Sequence, residues 1–120
     1  MNVHDAVKNH DMIPSADVRD TKVFNLRGDH VGDIRHVMID KPSGKIAYAV
    51  MGFGGFMGMG ENEHPIPWAA LHYDTDKGGY VTEIDEAQLK GAPDVTPEWQ
   101  RDRDWHARTY GYYGIVPYWI

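Results

Sequence analysis

The stretch KIAYAVM at residues 45–51 carries no charged side chain after its first lysine. In an extended strand Ile46, Tyr48 and Val50 project to one side, and Ala47, Ala49 and Met51 to the other. A strand with one face in water alternates apolar and polar residues, so this strand needs cover on both faces. The outer cover is expected from the chain's own tail or from a second subunit. Whatever the fold, it must therefore provide an inner core and something against the outside of this strand.

The neighbouring segments read as short strands and tight turns. KVFNL at residues 22–26 is a strand candidate, and RGDH at residues 27–30 a turn in which Gly28 takes a positive φ. VGDIRHVMID at residues 31–40 is the next strand. Its apolar positions slip phase, with Val31 and Ile34 three apart and then Val37 and Ile39 two apart. Such a slip predicts a β-bulge or sharp bend. KPSG at residues 41–44 is a turn, with Pro42 fixing one φ and Gly44 taking the left-handed position, and it makes a hairpin with residues 45–51.

Beyond the glycine-rich run, Pro65 and Pro67 suit an edge or terminal strand only. WAAL at residues 68–71 is expected to form one helical turn with Trp68 and Leu71 inward, HYDTDKGG at residues 72–79 a strand and turn, and YVTEI at residues 80–84 a last strand. Asp85 is placed to cap a short helix over residues 86–90, which Gly91 ends. The first twenty residues, polar and unpatterned, read as an arm leading into the fold. Thr96 and Pro97 are read as a helix start, with residues 99–109 helical although the charges RDRD spoil an amphipathic stripe. The last eleven residues hold four tyrosines and a tryptophan with no charged side chain, so this tail is expected to dock on something.

Several chemistries find no support in the residues. The run MGFGGFMGMG at residues 51–60 fails the dinucleotide fingerprint, because Met57 and Glu63 stand where the last glycine is required, and no Gly-Lys-Ser/Thr follows. No helix begins just after Gly60 to offer its N–H groups to a phosphate. The run reads instead as a corner packed by its large side chains, or as an adhesive surface built from Phe53, Phe56, Met57 and Met59. Seven histidines show no metal-ligand spacing; His64 with Glu61 and Glu63 is the nearest to a cluster, and no metal is expected. Ser15 and Ser43 lie in turns without a base, and Asp74 and Asp76 read as turn formers. No catalytic residue and no cofactor are expected.

A chain of 120 residues is enough for one domain. Eighteen acidic against twelve basic residues give a net charge of −6, which argues against a nucleic-acid partner. There is no cysteine, so disulfides and thiolate chemistry are excluded. The N-terminal residues lack the pattern of a signal peptide, and no apolar run approaches the roughly 20 residues that span a membrane. A cytoplasmic protein without membrane insertion is the expectation, with peripheral docking on a membrane left open.

In order along the chain, VGDIRHVMID (residues 31–40), GKIAYAV (residues 44–50), GGFMGMGE (residues 54–61), PIPWAAL (residues 65–71) and QLKGAP (residues 88–93) resemble the PRC-barrel domain family of bacterial proteins, named for the photosynthetic reaction centre H subunit. The resemblance covers residues 15–93. It implies a mainly β fold, a small and strongly bent barrel of about six strands with short helical turns. Residues 1–14 would then be an N-terminal arm, and residues 94–120 a helical and aromatic extension packing on the barrel or on a partner subunit. Relatives include the cytoplasmic part of the H subunit and the C-terminal half of a ribosome maturation factor, and across the family the domain looks like a docking module and not an enzyme. No transmembrane helix and no N-terminal RNA-associated domain accompany it here. The expected function is a non-catalytic protein–protein interaction module, homodimeric, with an unknown protein as further partner. The alternatives are a regulator docking on a membrane electron-transfer complex, and a ribosome- or RNA-processing factor. The candidate interaction surface is Phe53, Phe56, Met57, Met59, Tyr112, Tyr113, Tyr118 and Trp119.

Overall fold

Side chains in two turns organise the first three strands. In the turn after β1 (Lys22–Phe24), Asn25 Oδ1 accepts from the N–H groups of Arg27 and Asp29 at 3.0 and 2.9 Å. In the turn between β2 (His30–Ile39) and β3 (Ile46–Phe53), Asp40 Oδ2 accepts from the Ser43 N–H and hydroxyl at 3.1 and 2.6 Å. Gly28 and Gly44 close the two turns at φ of 88° and 75°, conformations that a side chain would strain. This computed structural model describes residues 12–53 and 62–120.

Three more strands complete the sheet: β4 (Asn62–Pro67), β5 (Leu71–Asp74) and β6 (Gly79–Thr82). The order is β4-β3-β2-β1-β6-β5, antiparallel throughout except for the parallel pair β1 and β6. Val23, Ile34, Ala49, Met51, Ile66, Leu71 and Tyr80, drawn from all six strands, meet in one buried cluster. Both edge strands feed that cluster, so the sheet bends around it. The mainly β, six-stranded expectation holds. Barrel closure is not made by hydrogen bonds, since β4 and β5 do not pair among the described residues. Pro65 and Pro67 lie on edge strand β4, where their missing N–H groups cost no ladder bond.

The predicted slip in β2 is a real irregularity. Ile34 pairs with Met51 but His36 pairs with Val50, so Arg35 is the extra residue of a bulge. A second shift falls between Met38 and Ile39. Ile34 is thereby fully buried in the inner core, whereas Met38 packs on the other side of the sheet and Ile39 is exposed.

The helices depart further from expectation. Residues 15–20, part of the polar stretch without a pattern, join the fold: α1 (Ser15–Val18) buries Val18, and the N–H of Asp20 donates to the Ile34 carbonyl at 2.7 Å. α2 (Glu86–Gly91) starts as expected, with Asp85 and Gln88 exchanging side-chain and backbone bonds in a capping box. Gly91, however, is the last helical residue and not a left-handed stop. A Cβ there would meet the Tyr112 hydroxyl at 2.7 Å, so glycine makes room for that ring. Thr96 and Pro97 start no helix; they lead only to a 3-10 turn at Trp99–Arg101. The chain is extended at Asp102, whose carboxylate accepts from the Trp105 N–H at 3.1 Å and caps α3 (Arg103–Tyr113). A stronger cap six residues beyond Thr96 displaces the helix start and frees Trp99 to turn inward. No described helix is long and apolar enough to cross a membrane.

Two glycines make opposite predictions. A Cβ at Gly32 would press on the carbonyl oxygen of Gly52 across the β2–β3 ladder, where only backbone can yield. Gly32→Ala is expected to cost about 1–3 kcal/mol. Gly111, inside α3, faces open space, and Gly111→Ala is expected to add about 0.5–1 kcal/mol. Urea midpoints shifting in the same direction for both would contradict this assignment.

Candidate interaction surface

β3 divides the molecule into two layers. Ala49 and Met51 enter the inner core, while Ala47, Tyr48 and Val50 join an outer cluster with Trp99, Trp105 and Tyr110. The outer layer is therefore supplied within the same chain. In α3 the buried residues are Trp105, Thr109 and Tyr110; Trp105 and Thr109, four apart, share a face, and Tyr110 flanks it, despite the charges beside them.

Tyr48 is the centre of this layer and is only 1% exposed. Its ring meets Trp99 edge-on with centroids 5.4 Å apart, Tyr110 at 5.3 Å, Trp105 at 5.8 Å and Tyr118 at 6.4 Å. Its hydroxyl lies 2.6 Å from His106 Nδ1, and His106 Nε2 lies 3.1 Å from the Gln100 carbonyl. A carbonyl only accepts, so Nε2 carries the hydrogen and Nδ1 accepts from Tyr48. The Tyr110 hydroxyl donates to the Ala47 carbonyl, and Trp105 Nε1 donates to the Asp94 carbonyl at 2.8 Å. Three polar tips inside an aromatic cluster are thus satisfied, which lets the rings be buried without the cost of a stranded donor. Thr109 Oγ1 is buried there without a partner among the described residues.

Burial, reinforced by neighbouring phenols, holds the Tyr48 and Tyr110 hydroxyls far above the ordinary phenol range. Burial with Tyr112 nearby pushes Tyr113 up to about 12. Tyr118 is raised by burial and then by Asp40, with Arg103 opposing, so its hydroxyl feels an acid and a base together.

The residues expected to form an interaction surface separate into three places. Phe53 is half-buried against the inner core, edge-on to His64, and lines a hollow of about 740 Å³ with Ile84 and Leu89. Burial there holds the His64 imidazole below its usual range. Tyr112 and Tyr113 sit beside α2: the exposed Tyr112 donates to the Gln88 carbonyl at 2.7 Å, and Tyr113 packs on the inner core. Tyr118 packs on the outer cluster, and Trp119, 48% exposed, lies against Tyr110 and Tyr118. Phe56, Met57 and Met59 lie outside the described residues.

A trough runs between the β2–β3 turn and the extension. One hollow of about 570 Å³ is lined by Asp40, Arg101, Arg103, His106, Tyr118 and Trp119 among others. A second, about 290 Å³, shares Asp40, Gln100, His106 and Tyr118 and continues past Met38, Ile39 and Pro42. Ile39, which lines it, is 58% exposed, and Val116 on the extension is 75% exposed. The Lys45 ammonium ties the two sides, donating to the Tyr118 carbonyl at 3.3 Å. Sequence reasoning missed Tyr48, His106, Arg101 and Arg103. One signal was present: Tyr48 is the largest outward residue of a strand that needed cover. Among the described residues no group of His, Asp and Glu gathers to hold a metal.

The buried phenols give a pH dependence with a definite sign. Folded Tyr48 and Tyr110 keep protons that the unfolded chain releases near pH 10. The stability they contribute is whole below pH 10 and is lost as pH rises above it, by up to about 1.4 kcal/mol per pH unit for each. Urea denaturation is expected to show a lower midpoint at pH 11 than at pH 8; an unchanged midpoint would contradict their burial.

Comparison with curated proteins gives no match. Among solved structures, a Pseudomonas aeruginosa protein assigned to 16S ribosomal RNA processing, RimM, is 16% identical with a TM-score of 0.42. That match covers 66% of this chain, and the chain spans about half (48%) of the other's length. A family model described as the PRC-barrel domain matches residues 10–89, and the chain belongs to that family.

Proposed function

We propose that this PRC-barrel chain is a non-catalytic docking module that associates with a second copy of itself through the outside of its C-terminal extension. The observation that supports it is the exposure of Ile39, Val116 and Trp119 along one extension and its neighbouring turn. Solvent-facing apolar groups gathered in one region mark contact surfaces, and tryptophan supplies much contact area at little entropic cost. The apolar outer face of β3 is covered from within by Trp99, Trp105 and Tyr110, so a partner is not required there. What remains unsatisfied lies one layer further out, on the covering segment itself. A net charge of −6 makes a nucleic-acid partner the weaker reading.

Light scattering coupled to gel filtration tests the proposal on the full chain. The expected mass is twice the 13.6 kDa of the chain, falling to one chain mass in Val116→Asp with Trp119→Ser. Val116 is 75% exposed and Trp119, 48% exposed, also touches Tyr110 and Tyr118, so Val116→Asp alone, with an unchanged melting curve, is the control that separates lost association from lost packing. A 13.6 kDa species at every concentration would contradict self-association.

A further inference from the structure

Two complementary strips of charge lie next to each other in sequence without pairing. Asp94 and Glu98 are exposed and flank Val95, which is 45% exposed. Arg101 and Arg103 line the trough a few residues on. Among the described residues none of these four groups joins an ion pair, although Glu98 and Arg101 are three positions apart. The acidic strip is nevertheless held in place. The Asp94 carbonyl accepts from the Trp105 indole at 2.8 Å, and the Thr96 carbonyl from the Trp99 N–H at 3.1 Å. Those bonds fix the backbone of residues 94–98 while its side chains point to solvent.

The trough beside it has the form of a site for a chain. Its two hollows share Asp40, Gln100, His106 and Tyr118; one carries Arg101 and Arg103, and the other Met38, Ile39 and Pro42 beside Lys41. Asp40 on the far lip is engaged by Ser43, and it stays apart from Arg103 although both act on the Tyr118 hydroxyl. A hollow carrying two arginines two positions apart suits a short segment with two acids flanking an aliphatic side chain.

We propose that residues 94–98 of one copy dock in the trough of a second copy, with Asp94 and Glu98 opposite Arg101 and Arg103. This rests on the self-association proposed above and names the surfaces that make it. An isologous contact requires one patch to hold both halves of the match, and a fixed acidic strip adjoining a basic trough does so. Each copy carries a net charge of −6, so an attractive local contact also offsets the general repulsion between two such chains.

A charge swap tests it. Arg101→Glu with Arg103→Glu is expected to weaken the dimer by at least about tenfold, and Asp94→Lys with Glu98→Lys likewise, because each sets like charges together. An equimolar mixture of the two variants restores both contacts of the two-fold pair, and sedimentation equilibrium is expected to show dimer regained in the mixture alone. All four side chains are exposed, and circular dichroism of each variant confirms the fold. A wild-type dimer indifferent to either reversal, or a mixture that stays dissociated, would overturn this assignment while leaving self-association standing. A wild-type monomer would overturn both.

Discussion

The burial of Tyr48 is the constraint on which the rest of the architecture turns. A phenol at the centre of a strand whose inward neighbours already fill a core must face outward, and facing water would leave a large ring beside Ala47 and Val50 uncovered. Trp99, Trp105, Tyr110 and Tyr118 close around it, and His106 takes its hydroxyl proton into a hydrogen bond. The extension is thereby a second layer of the fold, with an aromatic core of its own. Gly91 yields space to Tyr112, and Tyr113 reaches the inner core, so the segment is anchored at both layers.

That arrangement separates what the molecule needs for folding from what it offers to others. The PRC-type sheet and its inner cluster are closed business with the apolar residues of six strands. The covering segment shows the solvent a different chemistry: Trp119 and Val116 exposed, two arginines that join no ion pair among the described residues lining a trough, and an acidic strip fixed alongside. Groups that contribute little to the fold and remain in this arrangement are where an interaction would act.

The parts of the fold that were legible in the sequence were those set by local chemistry. Turn residues Gly28 and Gly44, the cap at Asp85, the prolines of β4 and the phase slip at Ile34 each act within a few residues of themselves. The need for cover over KIAYAVM was legible too, because it follows from alternation alone. What supplied the cover was not, since it depends on contacts some sixty residues apart, such as Tyr48 with His106 and Ala47 with Tyr110. The helix start was misplaced because Thr96 with Pro97 and Asp102 compete as caps, and the inward turn of Trp99 decides between them. The expected interaction surface scattered for a similar reason: aromatic content marks a residue as adhesive but does not say whether it adheres inside or outside. Tyr113 and Tyr118 were used within, and Trp119 and Tyr112 were left exposed.

Native-state hydrogen exchange on the intact chain measures most directly whether the extension belongs to the fold. If burial of Tyr48 joins the two layers, amides of α3 around Trp105 and Thr109 open only with the same free energy as those of β3. Exchange of α3 at a much smaller opening free energy, with β3 still protected, would show a loosely docked tail and contradict the second layer.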